Sequence, residues 1–253
     1  LCGISFSKST VSQLCAELDA RLQAWRSRSL SEKEYPFLIV DALVIDVRRD
    51  EAVRATGCLI AYGVNEDGVR EPLDLLLADS ETERSWDELF SNLKQRGLDG
   101  IELVVSDHHQ GLINALKRQF QGAQWQRCQV HFMRNILGLT PRHLRKALAS
   151  RLRLVFNAED KKIARKLSED IQEDYENKVS KAMNCLDAGL ENAITVLQFP
   201  LRYQKRLRTS NLAERVNEEI RRRQRVLRIF PNENSAQRLI GAWLADLHEQ
   251  WQN

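Results

Sequence analysis

The chain has 253 residues, 43% of them hydrophobic and 29% charged, with a formal net charge of +3. That is enough apolar material for one large core, or a core carrying an insertion, and it reads as a globular protein. Five scattered cysteines, Cys2, Cys15, Cys58, Cys128 and Cys185, exclude a disulfide scaffold, and with no secretory signal or membrane-spanning run in the sequence they read as a reduced, cytoplasmic protein.

Residues 9–22 offer Ser and Thr caps and apolar side chains at Val11, Leu14, Cys15, Leu18 and Leu22, which is helical spacing. The chain begins within what reads as a continuing element, so residues 1–33 are expected to end a longer N-terminal helical region and its linker. The opening fits either the second half of a helix-turn-helix or a plain connector helix. Polar residues 26–34 read as linker. A second segment starts near Glu34 with Tyr35-Pro-Phe-Leu-Ile-Val-Asp41-Ala-Leu-Val-Ile-Asp46-Val-Arg48, an apolar run fit for the middle of a sheet with Asp41 alone inside it. An unpartnered carboxylate buried there costs several kcal/mol. Asp41 is therefore expected to meet a cation, unless it closes the strand in a hydrogen-bonded turn. Asp46, an odd offset away, points to the opposite face.

Two further apolar runs, 53–64 and 69–77, flank Asn65-Glu-Asp67-Gly68, a hairpin signal. A capped helix is expected from Thr82 to Arg96, ending at Gly97. Residues 100–107 form a short buried strand closing on Asp107, followed by a helix over 110–120 and a fifth strand over Gln124 to His131. The stretch 141–200 is rich in Leu, Ala, Arg, Lys and Glu, with Leu144, Leu148, Leu152 and Phe156, then Ile163, Leu167 and Ile171, repeating every four residues. It reads as an all-helical insertion. Three strands in a meander, then helix, strand, helix, strand give a five-stranded mixed sheet flanked by helices, the order of the ribonuclease H-like α/β fold. That fold puts Asp41 on the central strand and Asp107 at the end of its neighbour.

Residues 34–140 then form the first part of the core, and 201–253 return to it as helices. Thr209-Ser-Asn211 reads as a helix start capped by Ser or Asn. Between Leu201 and Arg228 there are ten Arg or Lys against three Glu. Such a run is often a solvated face, but Arg215, Arg221, Arg222, Arg225 and Arg228 carry too little opposite charge for that and are expected to contact phosphates. Glu214 and Glu218 lie one turn apart on one helix face, and spacing alone does not separate them; Glu219 is turned away. Cys128-x-x-His131 is half a zinc site without a second half, which favours packing. His109 could orient Asp107, touch a phosphate, or sit on the surface. Trp125 and Trp86 could stack on an unpaired base, although Trp86 fits the core better.

Three stretches carry a resemblance: Val-Val-Ser-Asp107-His-His109-Gln-Gly-Leu, Trp125-Gln-Arg-Cys128-Gln-Val-His131-Phe-Met-Arg-Asn135, and Asn211-Leu-Ala-Glu214-Arg-Val-Asn-Glu-Glu-Ile-Arg-Arg-Arg223, followed by Ile229-Phe-Pro-Asn232. In order and over most of the chain, they resemble bacterial insertion-sequence transposases of the Mutator type. Adjacent His108 and His109 depart from that pattern, in which a small residue separates the acid from a histidine. The resemblance implies an Asp-Asp-Glu site of Asp41, Asp107 and Glu214 that binds Mg²⁺ or Mn²⁺, two ions in all, and that cuts and joins DNA. It also implies double-stranded DNA partners, terminal inverted repeats and target, and a homodimer or higher oligomer on them. By motif position it favours Glu214 over Glu218. A structure-specific nuclease of the same fold, or a non-catalytic DNA-binding descendant, remains a different reading of the same residues.

Overall fold

The computed structural model describes residues 7–252. In chain order the elements are α1 (Lys8–Ser27), β1 (Phe37–Arg49), β2 (Ala52–Val64), β3 (Arg70–Ala78), α2 (Glu83–Gln95), β4 (Leu103–Ser106), α3 (Gln110–Gln119), β5 (Gln124–Arg127), α4 (Gln129–Gly138), α5 (Arg142–Phe156), α6 (Lys161–Ala193), a 3₁₀ turn (Thr195–Gln198), α7 (Leu201–Leu207), α8 (Asn211–Leu227) and α9 (Glu233–Gln252). The sheet runs β3-β2-β1-β4-β5, the first three strands antiparallel and β1, β4 and β5 mutually parallel. This is the ribonuclease H-like mixed sheet expected from the order of elements.

Period-two alternation along β1 splits the core into two layers. Phe37, Ile39, Leu43, Ile45 and Val47 face a cluster shared with α4 to α9. Leu38 and Val40 face the other way, onto α2 and α3. Asp41 falls on the first of these faces and Asp46 on the second. The β2–β3 hairpin closes where the sequence placed it: Asn65 Oδ1 accepts from Val69 N–H at 2.7 Å, and Gly68 takes φ +77°, a conformation costly to any residue with a Cβ. Thr82 and Ser85 form a reciprocal capping box at the start of α2.

Between β5 and α8 the chain is helical. Leu148, Leu152 and Phe156 of α5 and Ile171 of α6 are buried, each contributing about 1.5–3 kcal/mol from burial, whereas Ile163 is exposed. Ile163 fits the spacing, but at the first turn of α6 no element covers it, and Ala164 and Ser168 face inward instead. The far end of α6 returns to the sheet. Its C-terminal carbonyl at Ala193 accepts from Gln126 Nε2 at 2.8 Å and from Gln129 Nε2 at 2.7 Å, and Val196 N–H donates to Gln126 Oε1 at 2.7 Å. Helix ends leave such carbonyls unpaired, so these buried glutamines fix the helical segment against β5 and α4.

Two expectations are corrected. The fifth strand stops at Arg127, because the ladder ends with Cys128 N–H on Ser106 O and Phe132 N–H then bonds Cys128 O to begin α4; His131 is on a helix. In α1, Val11, Leu14 and Leu18 are exposed, and only Leu22 and Trp25 reach the core, where α1 crosses α9 through Asp19–Arg238 and Arg21–Asp246 ion pairs. The turn of a helix-turn-helix would fall largely on residues 1–6, outside the described residues. The 26–34 segment is polar but pinned: Arg26 pairs with buried Asp74 at 3.0 Å, and Arg28 donates to the carbonyls of Pro72 and Leu73.

Candidate active site

Helix α8 lies across β1 with Ala213, Val216, Asn217 and Ile220 inward. The chain after it is held to the end of β1 by Arg48 N–H on Phe230 O and Phe230 N–H on Asp46 O, at 2.8 and 2.9 Å. This seating brings Asn217 to the central acid, where its Nδ2 donates to Asp41 Oδ2 at 2.7 Å. Asp41 is mostly buried, and burial together with the nearby charge of Asp107 pushes its carboxyl up to about 7. Asn217 Oδ1 is buried without a hydrogen-bond partner, leaving an acceptor oxygen beside the carboxylate.

Asp107 follows β4 directly, and α4 starts beside it. The His131 ring stands between two acids: Nδ1 contacts Asp107 Oδ1, and Nε2 lies 3.0 Å from Glu214 Oε1. The adjacent Asp107 carboxylate, then Cys128, push the imidazole up to about 10, which favours its charged form at neutral pH. Cys128 in turn accepts from Ser210 Oγ at 3.2 Å and Ser210 N–H at 3.4 Å. Burial raises the thiol, but the hydrogen bonds from His131 and Ser210 outweigh it and the net shift is downward. Ser210 was expected as a possible side-chain cap of α8; its hydroxyl is spent on the sulfur instead. Arg134 Nη2 stands 3.8 Å from Glu214.

The structure therefore brings Asp41, Asp107, Glu214, Cys128 and His131 into one cluster. Carboxylates so close repel, and they are offset here by the His131 imidazole and, at Glu214, by Arg134. Such oxygen-rich donors suit a hard divalent cation. Asp107, Cys128 and His131 also form a group whose ligand atoms lie within 4.8 Å of one another, able to hold an ion. Cys128-x-x-His131 thus finds its third member in an acid distant in sequence rather than in a second Cys/His pair.

The amino-acid sequence matches the model of the Mutator transposase family over residues 1–253. The chain belongs to the Mutator family of transposases. It is 44% identical to the transposase for insertion sequence element IS256 in transposon Tn4001 of Staphylococcus aureus, over 99% of this chain and 65% of the relative. It is 38% identical to the transposase for ISRM5 of Rhizobium meliloti, over 99% of this chain and 63% of the relative. With the transposase for IS406 of Burkholderia multivorans the figures are 38%, 98% and 64%. The chain thus spans slightly under two thirds of the length of these relatives.

Other residues singled out in this Mutator-family chain lie around the cluster. His109 caps α3, its Nδ1 accepting from Leu112 N–H at 3.3 Å and lying 3.4 Å from Glu81, so it turns away from Asp107. Asn211 is exposed at the first turn of α8. Trp86 is fully buried, and Trp125 is half-buried with its Nε1 donating to Ser106 Oγ at 2.9 Å. Glu218 lies with Asp46, Arg215, Arg221, Arg222, Arg225 and Arg228 along an open groove of about 950 Å³. The run of arginines is less uncompensated than its composition implied. Arg222 makes a bidentate pair with Glu219 at 2.8 Å, and Arg223 also contacts Glu219, holding its carboxyl down at about 2. Asn217 and Arg134 were not singled out as site residues in the sequence, and Ser210 was expected only as a helix cap. Asn217 had one available signal, standing three residues after Glu214 and so on the same helix face. Among the described residues, no helix is long and apolar enough to cross a membrane.

Proposed function

We propose that this chain is the catalytic portion of a DNA transposase, in which Asp41, Asp107 and Glu214 bind Mg²⁺ or Mn²⁺ for cleavage and strand transfer at the ends of a mobile element. The convergence of three acids from β1, the end of β4 and α8 around His131 carries this reading. When bound, the cations supply activation of the attacking oxygen and charge stabilisation on the leaving one. The chain's own groups set up that chemistry. Asn217 fixes the Asp41 rotamer through its 2.7 Å bond. His131 stands between Asp107 and Glu214, and its positive charge offsets their mutual repulsion. Cys128 and Ser210 tie α4 to the start of α8, so that the elements bearing His131 and Glu214 move as one. Residues 34–140 and 201–253 make up the nuclease core and 141–200 the insertion; the Asp41–Asn217 bond and the Gln126 and Gln129 contacts to Ala193 support that division.

The test is strand transfer: a labelled duplex of the element end with a free 3′-hydroxyl, incubated with supercoiled plasmid and Mg²⁺ or Mn²⁺. Covalent joining to the plasmid, blocked by chelator, is the expected result. Cleavage without joining would instead indicate a nuclease, and binding without either a non-catalytic descendant.

The arginine groove is proposed to track duplex phosphates. Arg221→Ala and Arg225→Ala are each expected to weaken binding alike on any sequence and to flatten the dependence of log K on log salt by roughly 0.9 for each phosphate left without its arginine. Arg222→Ala should flatten it less, because its guanidinium is already paired to Glu219. Titrations by fluorescence anisotropy at several salt concentrations check the order; an unchanged slope for Arg221→Ala and Arg225→Ala would remove the groove from the DNA path.

A further inference from the structure

Helix α4 presents two faces to two different surroundings. Cys128 and His131 look toward the acids. Val130, Met133, Arg134, Leu137 and Gly138 are spaced at three and four residues and so share a different stripe of the same helix. That stripe forms one wall of a second cavity, of about 650 Å³, whose other walls are Phe156 and Asn157 at the end of α5 and Arg208-Thr209 before α8. The floor is apolar. The rim carries Arg134, Arg145, Arg153 and Arg208, and among the described residues no Asp or Glu lines it. Among the described residues, none of Arg145, Arg153 and Arg208 has a carboxylate within 4.0 Å: Arg145 donates to Thr140 O at 2.7 Å, and Arg208 contacts Asn157 Oδ1.

The cavity and the acid cluster share a partition. Arg134 belongs to the rim and also stands 3.8 Å from Glu214. Gln129 N–H bonds Arg208 O at 3.0 Å, and the next residues, Thr209 and Ser210, lead from the cavity lining to the Cys128 sulfur. A ligand here therefore sits immediately beside whatever the acids hold. Four cations around an apolar floor complement a molecule with a flat apolar body and negative charges at its edges. A nucleotide in a DNA strand has that form, but only when unpaired and unstacked, since a paired base keeps its faces against its neighbours.

We infer that this cavity takes one unpaired nucleotide of a strand whose neighbouring phosphate lies at the acid cluster, its base against Val130, Met133 and Leu137 and its phosphates on Arg134 and Arg153. The inference rests on the reading of the acid cluster as a DNA site, and goes beyond it by requiring local unpairing at the cut.

The test compares two synthetic duplexes that differ only in one unpaired 2-aminopurine, with binding followed by anisotropy and base environment by 2-aminopurine emission. The bulged duplex is expected to bind about tenfold more tightly than the paired one, with emission rising as the base leaves the stack. Gly138 lines the cavity, and a Cβ added there meets nothing within 4 Å, so Gly138→Leu adds apolar bulk at the cavity wall from an open position. Gly138→Leu and Arg153→Ala are each expected to cut the preference to about twofold or less while leaving paired-duplex affinity nearly unchanged. Equal affinity of the wild-type chain for both duplexes overturns the inference and leaves the proposed function standing. So does a tenfold preference that survives Gly138→Leu, which would put the base elsewhere. Failure to bind either duplex overturns the inference and the DNA reading together.

Discussion

Asp41→Asn, Asp107→Asn and Glu214→Gln are each expected to reduce strand cleavage by a factor on the order of 10³ or more, equivalent to about 4 kcal/mol of lost transition-state stabilisation. DNA affinity should stay nearly constant in all three, because the groups proposed to meet the backbone are the arginines of α8 and not the acids. The substitutions preserve shape and remove only charge. At Asp41 the bond from Asn217 can still be accepted by the new amide oxygen. Glu218→Gln is the paired control: Glu218 lies in the arginine groove, whereas Glu214 faces His131, and the variant should retain activity. Retained cleavage by any one of the first three would remove that residue from the site, and an inactive Glu218→Gln beside an active Glu214→Gln would move the third acid one turn along α8.

The same change at Asp41 should stabilise the fold. Burial and the nearby charge of Asp107 push the Asp41 carboxyl up to about 7, against an ordinary value of 3.8. Between those values the folded chain holds a proton that the unfolded chain has lost, so stability falls as pH rises from about 4 to 7 and stays lower above it. At roughly 1.4 kcal/mol for each pH unit across that window, Asp41→Asn is expected to recover about 2–4 kcal/mol at pH 8, and almost nothing at pH 4. In a chain of this size that is a rise in melting temperature on the order of 10 °C. Thermal melts of both proteins at pH 4 and pH 8 in chelator supply the measurement. Adding Mn²⁺ at pH 8 should then raise the wild-type melting temperature and leave the variant nearly unmoved, by mass action on the folded state alone. Identical melts at pH 8 in chelator would mean that the buried carboxylate ionises without penalty.

Both expectations describe one compromise. An acid inside the buried stretch of the central strand is a poor choice for stability, and its neighbours are arranged to make it tolerable rather than favourable. Asn217 reaches across from α8, and the His131 cation sits among the remaining acids. Residues that break the local pattern mark where function overrides folding, which is why a single Asp in an apolar run is so informative in sequence.

The features legible in the sequence were local ones. Alternation along β1 placed Asp41 and Asp46 on opposite faces, Asn65 to Gly68 closed the hairpin, Thr82 capped α2, and the four-residue repeat of Leu148, Leu152 and Phe156 gave the buried face of α5. Each rests on backbone sterics or side-chain period over a few residues, so the order of elements, and with it the sheet, followed from the sequence by itself. Local pattern failed where two elements compete for the same residues. Gln124 to His131 alternates like a strand, yet the ladder ends at Arg127 because β4 has nothing further to offer after Ser106, and the chain turns into α4. Ser210 has the chemistry of a helix cap, yet a buried sulfur 82 residues away in sequence claims its hydroxyl. Only the tertiary structure decided that Glu214, and not Glu218, faces His131, and that Asn217 meets Asp41 across 176 residues. The rotation of α8 about its own axis settles both together. That rotation is set by which of its side chains the face of β1 will bury, and no periodicity within the helix contains it.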